Sequence, residues 1–254
     1  MRELREELGI AVREARPLIR IRHEYSDRWV VLDTWLVSRF DGTPTAHENQ
    51  GLAWTTPERL HEWDLLAADG PIVNALRLSS ALAFTPEDIS APRALDGVPK
   101  SALLRLRAPR LSDSAYVALA RRWLPEIRAR GLRLILDRAP ERVAALGADG
   151  WHATAAVLRA LDARPAVAWA GASCHDATEL RRARELGFDY AVFGPVQATP
   201  THPQAQPLGW EGFALAVREC GIPVYALGGV GPRDLAQAWR AGAQGVAGIR
   251  AYWG

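Results

Sequence analysis

Short apolar runs alternate with amphipathic segments from about residue 80 onward, and this alternation constrains the fold more than any other feature. Eight runs are strand candidates: "ALAFTP", "SALLRLR", "LRLILD", "ADGWH", "AVAWA", "DYAVFGP", "IPVYALGG" and "QGVAGIR". Helical patterns such as "DSAYVALARRWLPEIRARG" and "DATELRRARELG" separate most of them. Eight strands that alternate with helices predict a closed (β/α)8 barrel over residues 80–254.

The first 79 residues have a different pattern. The segment "LIRIRHEYSDRWVVLDTWLVSRFDG" alternates apolar and polar residues on both sides of a Ser-Asp break, which predicts an antiparallel hairpin. Two short helical stretches, "TPERLHEW" and "GPIVNALRL", follow it. We therefore expect two units, one over residues 1–79 and one over residues 80–254.

Composition excludes several classes of function. Hydrophobic residues make up 48% of the chain, and the formal net charge of +2 is spread without a basic block, so a nucleic-acid polymer is not an expected partner. Only Cys174 and Cys220 are present, which excludes a disulfide framework and a cysteine metal cluster. Neither a signal-peptide pattern nor a bilayer-length apolar run occurs. We expect a cytoplasmic protein that binds a small molecule and no membrane; homo-oligomerisation is left open.

The opening stretch "RELREELGI" contains Glu3, Glu6 and Glu7. Spacings of three and four residues put these carboxylates on one face of a helix. Convergent carboxylates suit Mg²⁺, which prefers oxygen ligands and bridges to substrate phosphates. A solvated acidic helix start is the alternative, because charge runs on helix surfaces are ordinary.

The same stretch resembles the second half of the Nudix box, R-E-U-x-E-E-x-G-U with U apolar. "ENQGLAW" and "LLAADGPIVNAL" resemble the tail of the MutT branch of that family. The resemblance implies Mg²⁺-dependent pyrophosphohydrolysis of a nucleotide such as an oxidised purine triphosphate. It assigns metal binding and water activation to Glu3, Glu6, Glu7 and Glu48, and base recognition to Asp69. The glycine and glutamate that open the box are missing, so we expect an α/β chain in which a truncated Nudix domain precedes the TIM barrel.

A second resemblance covers the predicted barrel. "GASCHDATELRRARELGFDYAVFGPVQATPTHP" and "IPVYALGGVGPRDLAQAWRAGAQGVAGIRAYW" resemble the C-terminal half of the thiamine phosphate synthase and thiazole tautomerase family. This resemblance implies a (β/α)8 barrel that takes a thiazole or pyrimidine phosphate. The substrate-binding residues that it implies are Arg105, Arg107, Ser173, His175, Thr199, Thr201 and His202.

Glycines mark the ends of the last two predicted strands. Gly228 and Gly229 close one strand and Gly248 closes the next. Barrels of this kind bind phosphate with backbone N–H groups at these two strand ends, and glycine permits the close approach that is needed. We predict a phosphate site there, with ordinary tight turns as the alternative. His152 ends the fourth strand candidate, where it is either a catalyst or a packed core residue.

The chain departs from the second family at charged positions. The Mg²⁺-binding aspartates of that family fall near Arg138 and Val157, and the lysine of its Q-x-R-x-K pattern falls at Pro109. Since a departing diphosphate needs electrostatic stabilisation, we expect no thiamine phosphate formation. Our principal functional prediction is therefore nucleotide pyrophosphohydrolysis by the parent protein, with impaired activity in this chain because its Nudix half is incomplete. The alternatives are a thiamine-pathway enzyme, either synthase or tautomerase, and a non-catalytic barrel that binds a phosphate ligand.

Overall fold

The computed structural model describes residues 2–48, 50–87, 92–199 and 204–253. Its strands are β1 (Ala11–Glu24), β2 (Trp29–Asp41), β3 (Ala81–Phe84), β4 (Leu103–Leu106), β5 (Arg133–Leu136), β6 (Gly150–Ala153), β7 (Trp169–Cys174), β8 (Tyr190–Phe193), β9 (Val224–Leu227) and β10 (Gly245–Gly248). Its α-helices are α1 (Arg2–Leu8), α2 (Gly70–Arg77), α3 (Asp113–Ala129), α4 (Arg142–Leu146), α5 (Ala155–Ala160), α6 (Ala177–Glu185), α7 (Gly209–Val217), α8 (Leu235–Arg240) and α9 (Arg250–Trp253). Short 3-10 helices cover Pro57–Glu62, Ala67–Asp69, Pro92–Gly97 and Pro232–Asp234. None of the described helices has the length and apolar character needed to cross a bilayer.

Strands β3 to β10 form a closed parallel barrel in the order β10-β3-β4-β5-β6-β7-β8-β9. This result confirms the prediction of eight strands and a (β/α)8 barrel. The strands are buried on both faces, which explains why they are short continuous apolar runs rather than alternating ones. Leu82, Leu103 and Tyr225 fill the interior of the barrel, whereas Trp123 of α3 belongs to the larger core outside it.

Side-chain caps start three of the barrel helices shortly after a strand. The Ser112 hydroxyl accepts a hydrogen bond from the backbone N–H of Ala115 at the start of α3. Thr154 and Asp176 cap α5 and α6 in the same way. Because a capping side chain satisfies a backbone N–H that the helix leaves unpaired, these residues fix where each strand gives way to its helix.

The first 79 residues form the predicted antiparallel hairpin. Strands β1 and β2 pair from Ala11 with Asp41 to Glu24 with Trp29, and residues 25–28 form the turn. Leu18, Ile19 and Ile21 of β1 pack with Ala75 of α2 in a small separate core.

Helix α2 attaches this segment to one end of the barrel. The Gln244 side-chain amide donates hydrogen bonds to the carbonyls of Ala75 (3.0 Å) and Leu78 (2.9 Å). Arg133 donates to the carbonyl of Arg77 at 2.9 Å. Gln244 and Arg133 lie at the amino-terminal ends of β10 and β5. The N-terminal segment therefore covers the amino-terminal end of the barrel, opposite the end where barrel enzymes place their sites.

Within the described part of the first 79 residues, the structure shows no Nudix domain. Where those residues are described, the sheet has two strands, which pair only with each other. Helix α1 has no buried residue. The predicted fold is therefore correct for the barrel and for the hairpin, whereas the truncated Nudix α/β domain is not supported.

Candidate functional site

A pocket of about 1400 Å³ opens at the carboxyl-terminal ends of the barrel strands. Four loops supply most of its polar lining. Arg105 and Arg107 come from β4 and the loop after it, and Ser173 lies near the end of β7. Gly228 follows β9, and Gly248 ends β10. The pocket is therefore built by the end of the barrel that is opposite the hairpin.

The structure brings together most of the residues predicted for this site. The lining includes Arg105, Arg107, Ser173, His175, Thr199, Gly228, Gly229 and Gly248. Thr201 and His202 lie outside the described residues. The shared pocket supports the predicted grouping, and the role of each residue stays a prediction.

The lining carries positive charge. Arg105, Arg107, Arg233 and Arg250 contribute to it, and none of its described residues is an aspartate or a glutamate. Arg250 donates a hydrogen bond to the Thr199 hydroxyl at 3.3 Å. Arginines that converge on one concave surface attract phosphate groups, which they bind through paired N–H donors. The pocket is therefore suited to an anionic ligand.

Arg105 is the most enclosed of these cations. Its side chain is 8% exposed, and Nη2 donates to Asp137 Oδ2 at 3.3 Å. Nη1 reaches Ser173 Oγ at 3.5 Å, and Nε has no hydrogen-bond partner among the described residues. Burial lowers the pKa of Arg105, and the Asp137 carboxylate acts in the opposite direction. The ring of Phe84 lies 4.9 Å from the guanidinium carbon. These contacts hold a cation in place beside the pocket.

Arg107 lies two residues beyond Arg105, just after the end of β4. Alternate residues of a strand share a face, so Leu103, Arg105 and Arg107 follow one another toward the mouth of the barrel. Arg107 lines the pocket and pairs with Glu87 at 2.9 Å. Arg105 and Arg107 therefore both reach the pocket, and the loss of the family lysine at Pro109 stays a prediction.

The two predicted metal positions, Arg138 and Val157, carry no metal ligand. Asp137 directly follows β5 and pairs with Arg105, whereas Arg138 bonds to Asp113 and to the carbonyl of Ala108. Val157 is an exposed residue of α5. The carboxylate of Asp137 is alone, and the described residues contain no group of three or more His, Cys, Asp or Glu that could hold a metal ion. This lining therefore does not fit Mg²⁺.

A buried polar chain runs from the barrel interior to the pocket. Tyr190, His152 and Ser173 come from the three adjacent strands β8, β6 and β7. His152 Nδ1 lies 3.2 Å from the Tyr190 hydroxyl, and His152 Nε2 lies 2.9 Å from Ser173 Oγ. Burial, together with nearby Arg105, holds the pKa of His152 well below its usual value. His152 is therefore a neutral core residue with two polar partners.

The structure requires glycine at positions 228 and 229 for a reason that the sequence did not reveal. Their φ angles are +90° and +69°, in the left-handed region that favours glycine. A Cβ on Gly228 would lie 2.6 Å from Pro195 Cβ, and one on Gly229 would lie 2.6 Å from Gln197 Cβ. Contact with the loop after β8 therefore accounts for both glycines, and the phosphate site stays a prediction.

The residues predicted for the Nudix site lie elsewhere and do not form a metal centre. Glu3, Glu6 and Glu48 are exposed, and Glu6 pairs with Arg2 at 3.6 Å. Glu7 is half-buried but belongs to no group that could hold a metal ion. Asp69 accepts a hydrogen bond from the backbone N–H of Leu66 at 3.1 Å and so closes a short turn. None of these side chains lines the described pocket.

Known proteins resemble the chain over its barrel. The sequence model of the family described as "Thiamine monophosphate synthase" matches residues 90–252. The thiamine-phosphate synthase of Bordetella avium is 38% identical over an alignment of 195 residues that covers 69% of this chain and 88% of that protein. The thiamine biosynthesis bifunctional protein ThiM/ThiE of Symbiobacterium thermophilum is 35% identical over 156 residues, which are 60% of this chain and 32% of that protein. This chain thus spans about a third of the bifunctional relative.

A solved structure supports the fold alone. The thiamine phosphate pyrophosphorylase from Pyrococcus furiosus superposes with a TM-score of 0.55 at 21% sequence identity, over 70% of this chain and 88% of that one.

Together, the sequence relatives overturn the principal functional prediction. Nucleotide pyrophosphohydrolysis is wrong as the assignment, because the relatives are thiamine-phosphate synthases, and because the short acidic motif forms a solvated helix rather than a metal site.

Proposed function

Because the chain belongs to the thiamine monophosphate synthase family, we propose that its barrel joins a pyrimidine diphosphate to a thiazole phosphate. The thiazole nitrogen forms a bond to the methylene carbon of the pyrimidine. The bond from that carbon to the diphosphate oxygen breaks, and diphosphate leaves with the electron pair. The observation that carries the proposal is the described lining, which has four arginines and no carboxylate.

Two separate cationic regions match two phosphorylated substrates. Arg105 and Arg107 come from β4 and its loop, whereas Arg250 follows β10. Strand β3 lies between β4 and β10, and strands in a sheet are about 4.8 Å apart, so the two regions are roughly 10 Å apart. We assign the diphosphate to the β4 side. The phosphomonoester then lies on the β10 side, near Gly229 and Gly248.

The arginines stabilise negative charge on the diphosphate and form no covalent bond with the substrates. The diphosphate gains negative charge as it leaves, and fixed cations in an enclosed site stabilise that charge without having to reorganise. The planar guanidinium also binds two phosphate oxygens at once, which a lysine does not. No step is assigned to Mg²⁺, because the described lining lacks the donors for it.

The test is product formation by the purified full chain. Pyrimidine diphosphate and thiazole phosphate are supplied with EDTA or with Mg²⁺, and thiamine phosphate is measured after oxidation to its fluorescent thiochrome form. We expect product in EDTA and at least a tenfold lower kcat/KM for Arg107→Met. Arg121→Met changes an exposed arginine of α3 outside the pocket and is the matched control with unchanged activity. Absence of product under both conditions would overturn the proposal.

One observation favours a second reaction, proton transfer within thiazole phosphate. The exposed His175 lines the pocket, and its imidazole makes no hydrogen bond within the described part of the chain. A solvent-accessible imidazole in a substrate pocket can take up and return a proton. If His175 has this role, His175→Gln abolishes deuterium uptake by thiazole phosphate in heavy water. Equal uptake by the variant and the original protein would remove this candidate.

A further inference from the structure

The hydrogen-bonded chain of Tyr190, His152 and Ser173 is here called the relay. The number of protons that it carries limits the directions in which its hydrogen bonds can run. Tyr190 and His152 are both fully buried, with 0% exposure, whereas Ser173 is half-buried and faces the pocket. Each ring nitrogen of His152 has one partner: the Tyr190 hydroxyl at 3.2 Å and Ser173 Oγ at 2.9 Å. Since the imidazole is neutral, one ring nitrogen carries a proton and donates a hydrogen bond, and the other accepts a hydrogen bond.

In the first arrangement, His152 carries its proton on Nδ1, and this N–H donates a hydrogen bond to the Tyr190 hydroxyl oxygen. The Ser173 hydroxyl then donates to Nε2, so its proton points away from the pocket. The Tyr190 hydroxyl proton has no acceptor, because its only hydrogen-bond partner among the described residues is His152. A buried donor without an acceptor is strongly disfavoured in protein interiors.

In the second arrangement, His152 carries its proton on Nε2. The Tyr190 hydroxyl donates to Nδ1, and Nε2 donates to Ser173 Oγ. Arg105 Nη1 also reaches Ser173 Oγ, at 3.5 Å, so both acceptor positions of that oxygen are used by the protein. The Ser173 hydroxyl proton is then left to point into the pocket. Every buried donor of the relay is satisfied in this arrangement.

We infer that Tyr190 holds His152 in its Nε2–H tautomer, and that this tautomer directs the Ser173 hydroxyl proton toward an anionic ligand beside Arg105. Tyr190 and His152 are thus positioning residues, and Ser173 and Arg105 contact the ligand. The inference rests on the proposed function only for the identity of that ligand. The tautomer itself is a property of the protein without substrate.

The packing around Tyr190 fixes its position in the relay. Its ring contacts the ring of Tyr225 edge-on, with centroids 5.7 Å apart. Gly171 on the neighbouring strand β7 leaves the space that the Tyr190 ring fills, since a Cβ there would overlap that ring. A tyrosine held on both sides in this way has one place for its hydroxyl, against His152.

The first test reads the tautomer directly. The full chain is labelled with ¹⁵N-histidine, and long-range ¹H–¹⁵N spectra give the protonation of each ring nitrogen, with His152 assigned by its loss in His152→Gln. We expect the Nε2–H pattern. Tyr190→Phe removes the donor to Nδ1, so a measurable fraction of Nδ1–H should appear. The Nδ1–H pattern in the unmodified protein would overturn the inference, whether or not Tyr190→Phe folds.

Tyr225→Phe is the matched control for this spectrum. Tyr225 is equally buried on the next strand, and its hydroxyl donates to the carbonyl of Ser79 rather than to His152. Its loss should leave the His152 pattern unchanged. An equal change of tautomer in both variants would show that general loosening of the interior, and not the Tyr190 hydroxyl, sets the proton position.

The second test separates the hydrogen bond from the bulk of the ring. Binding of inorganic diphosphate to the full chain is measured by calorimetry for His152→Gln, whose amide can still donate to Ser173, and for His152→Leu, which cannot. We expect roughly tenfold weaker binding for the leucine variant and a smaller loss for glutamine, because one charge-assisted hydrogen bond to the ligand is removed. Equal losses would contradict the directed proton. If the tautomer is Nε2–H but no thiamine phosphate forms, the proposed function fails and this inference stands.

Discussion

Asp137→Asn removes the charge beside Arg105 at almost constant side-chain size. The two side chains are 8% and 14% exposed and lie 3.3 Å apart. With an effective dielectric constant of about 20, two unit charges at that distance attract by about 5 kcal/mol. The asparagine keeps a neutral hydrogen bond worth about 1 kcal/mol. We expect the free energy of unfolding to fall by about 3–4 kcal/mol, which lowers Tm by about 10 °C for a protein of this size.

Ligand binding should change in the opposite direction. Asp137 offsets part of the positive charge of Arg105, so its neutralisation should tighten the binding of inorganic diphosphate by about tenfold. A ligand at 100 times its Kd stabilises a folded protein by about 2.7 kcal/mol. At one fixed diphosphate concentration, the rise in Tm should therefore be larger for Asp137→Asn than for the original protein. Thermal unfolding followed by circular dichroism, together with calorimetric titration, measures both effects.

The double variant Arg105→Met, Asp137→Leu is the control. Replacement of both members of a buried ion pair with apolar residues is often nearly neutral for stability, whereas removal of one member is costly. We expect its Tm to be close to that of the original protein and its diphosphate binding to be lost. If Asp137→Asn instead binds diphosphate more weakly than the original protein, the carboxylate assists the anion, and the charge argument is refuted.

Three further outcomes follow from burial. The pKa of His152 is lowered in the folded protein, so below about pH 6.5 the unfolded chain binds a proton that the folded chain does not. The free energy of unfolding, measured by urea titration, should therefore fall by up to about 1.4 kcal/mol per pH unit between pH 6.5 and 5.5. This pH dependence should be absent in His152→Gln. Burial raises the pKa of Cys220 to about 11 and that of Cys174 further, so both thiols should react with Ellman's reagent at pH 8 only after unfolding; rapid reaction of the native protein would contradict this. Trp123 is fully buried, so Trp123→Ala should lower the free energy of unfolding by about 3–5 kcal/mol in denaturant titrations, and a loss below about 1 kcal/mol would show that its site collapses.

The regular part of the fold was predictable because each element leaves a local signature. Barrel strands covered on both faces must be apolar throughout, as in Leu103–Leu106, and the half-exposed hairpin must alternate. The glycines after β9 were also recognised, but for a different reason. The sequence indicated a close approach of a ligand, whereas the structure shows a close approach of Pro195 and Gln197 from the preceding loop.

The site was harder to predict because its contacts join strands that are distant in sequence. Asp137 meets Arg105 only after the barrel closes. Tyr190 looked like an ordinary strand residue, although its hydroxyl contacts His152 from a strand 38 residues away. The acidic opening stretch failed in the opposite direction. A short motif carries no information about whether its neighbours assemble a site, and an amphipathic surface helix satisfies the same spacing.

The attachment of the hairpin through helix α2 has a consequence for how the molecule opens. A two-stranded sheet is barely stable by itself, and this one relies on Leu18, Ile19, Ile21 and Ala75 for its own core. Its amides should therefore exchange with heavy water through local opening events that leave the closed barrel intact. The barrel amides should exchange only when the whole domain unfolds. Since the pocket lies at the other end of the barrel, diphosphate should slow amide exchange in the barrel and leave the exchange rates of the hairpin unchanged. The hairpin and the barrel should therefore open independently of each other.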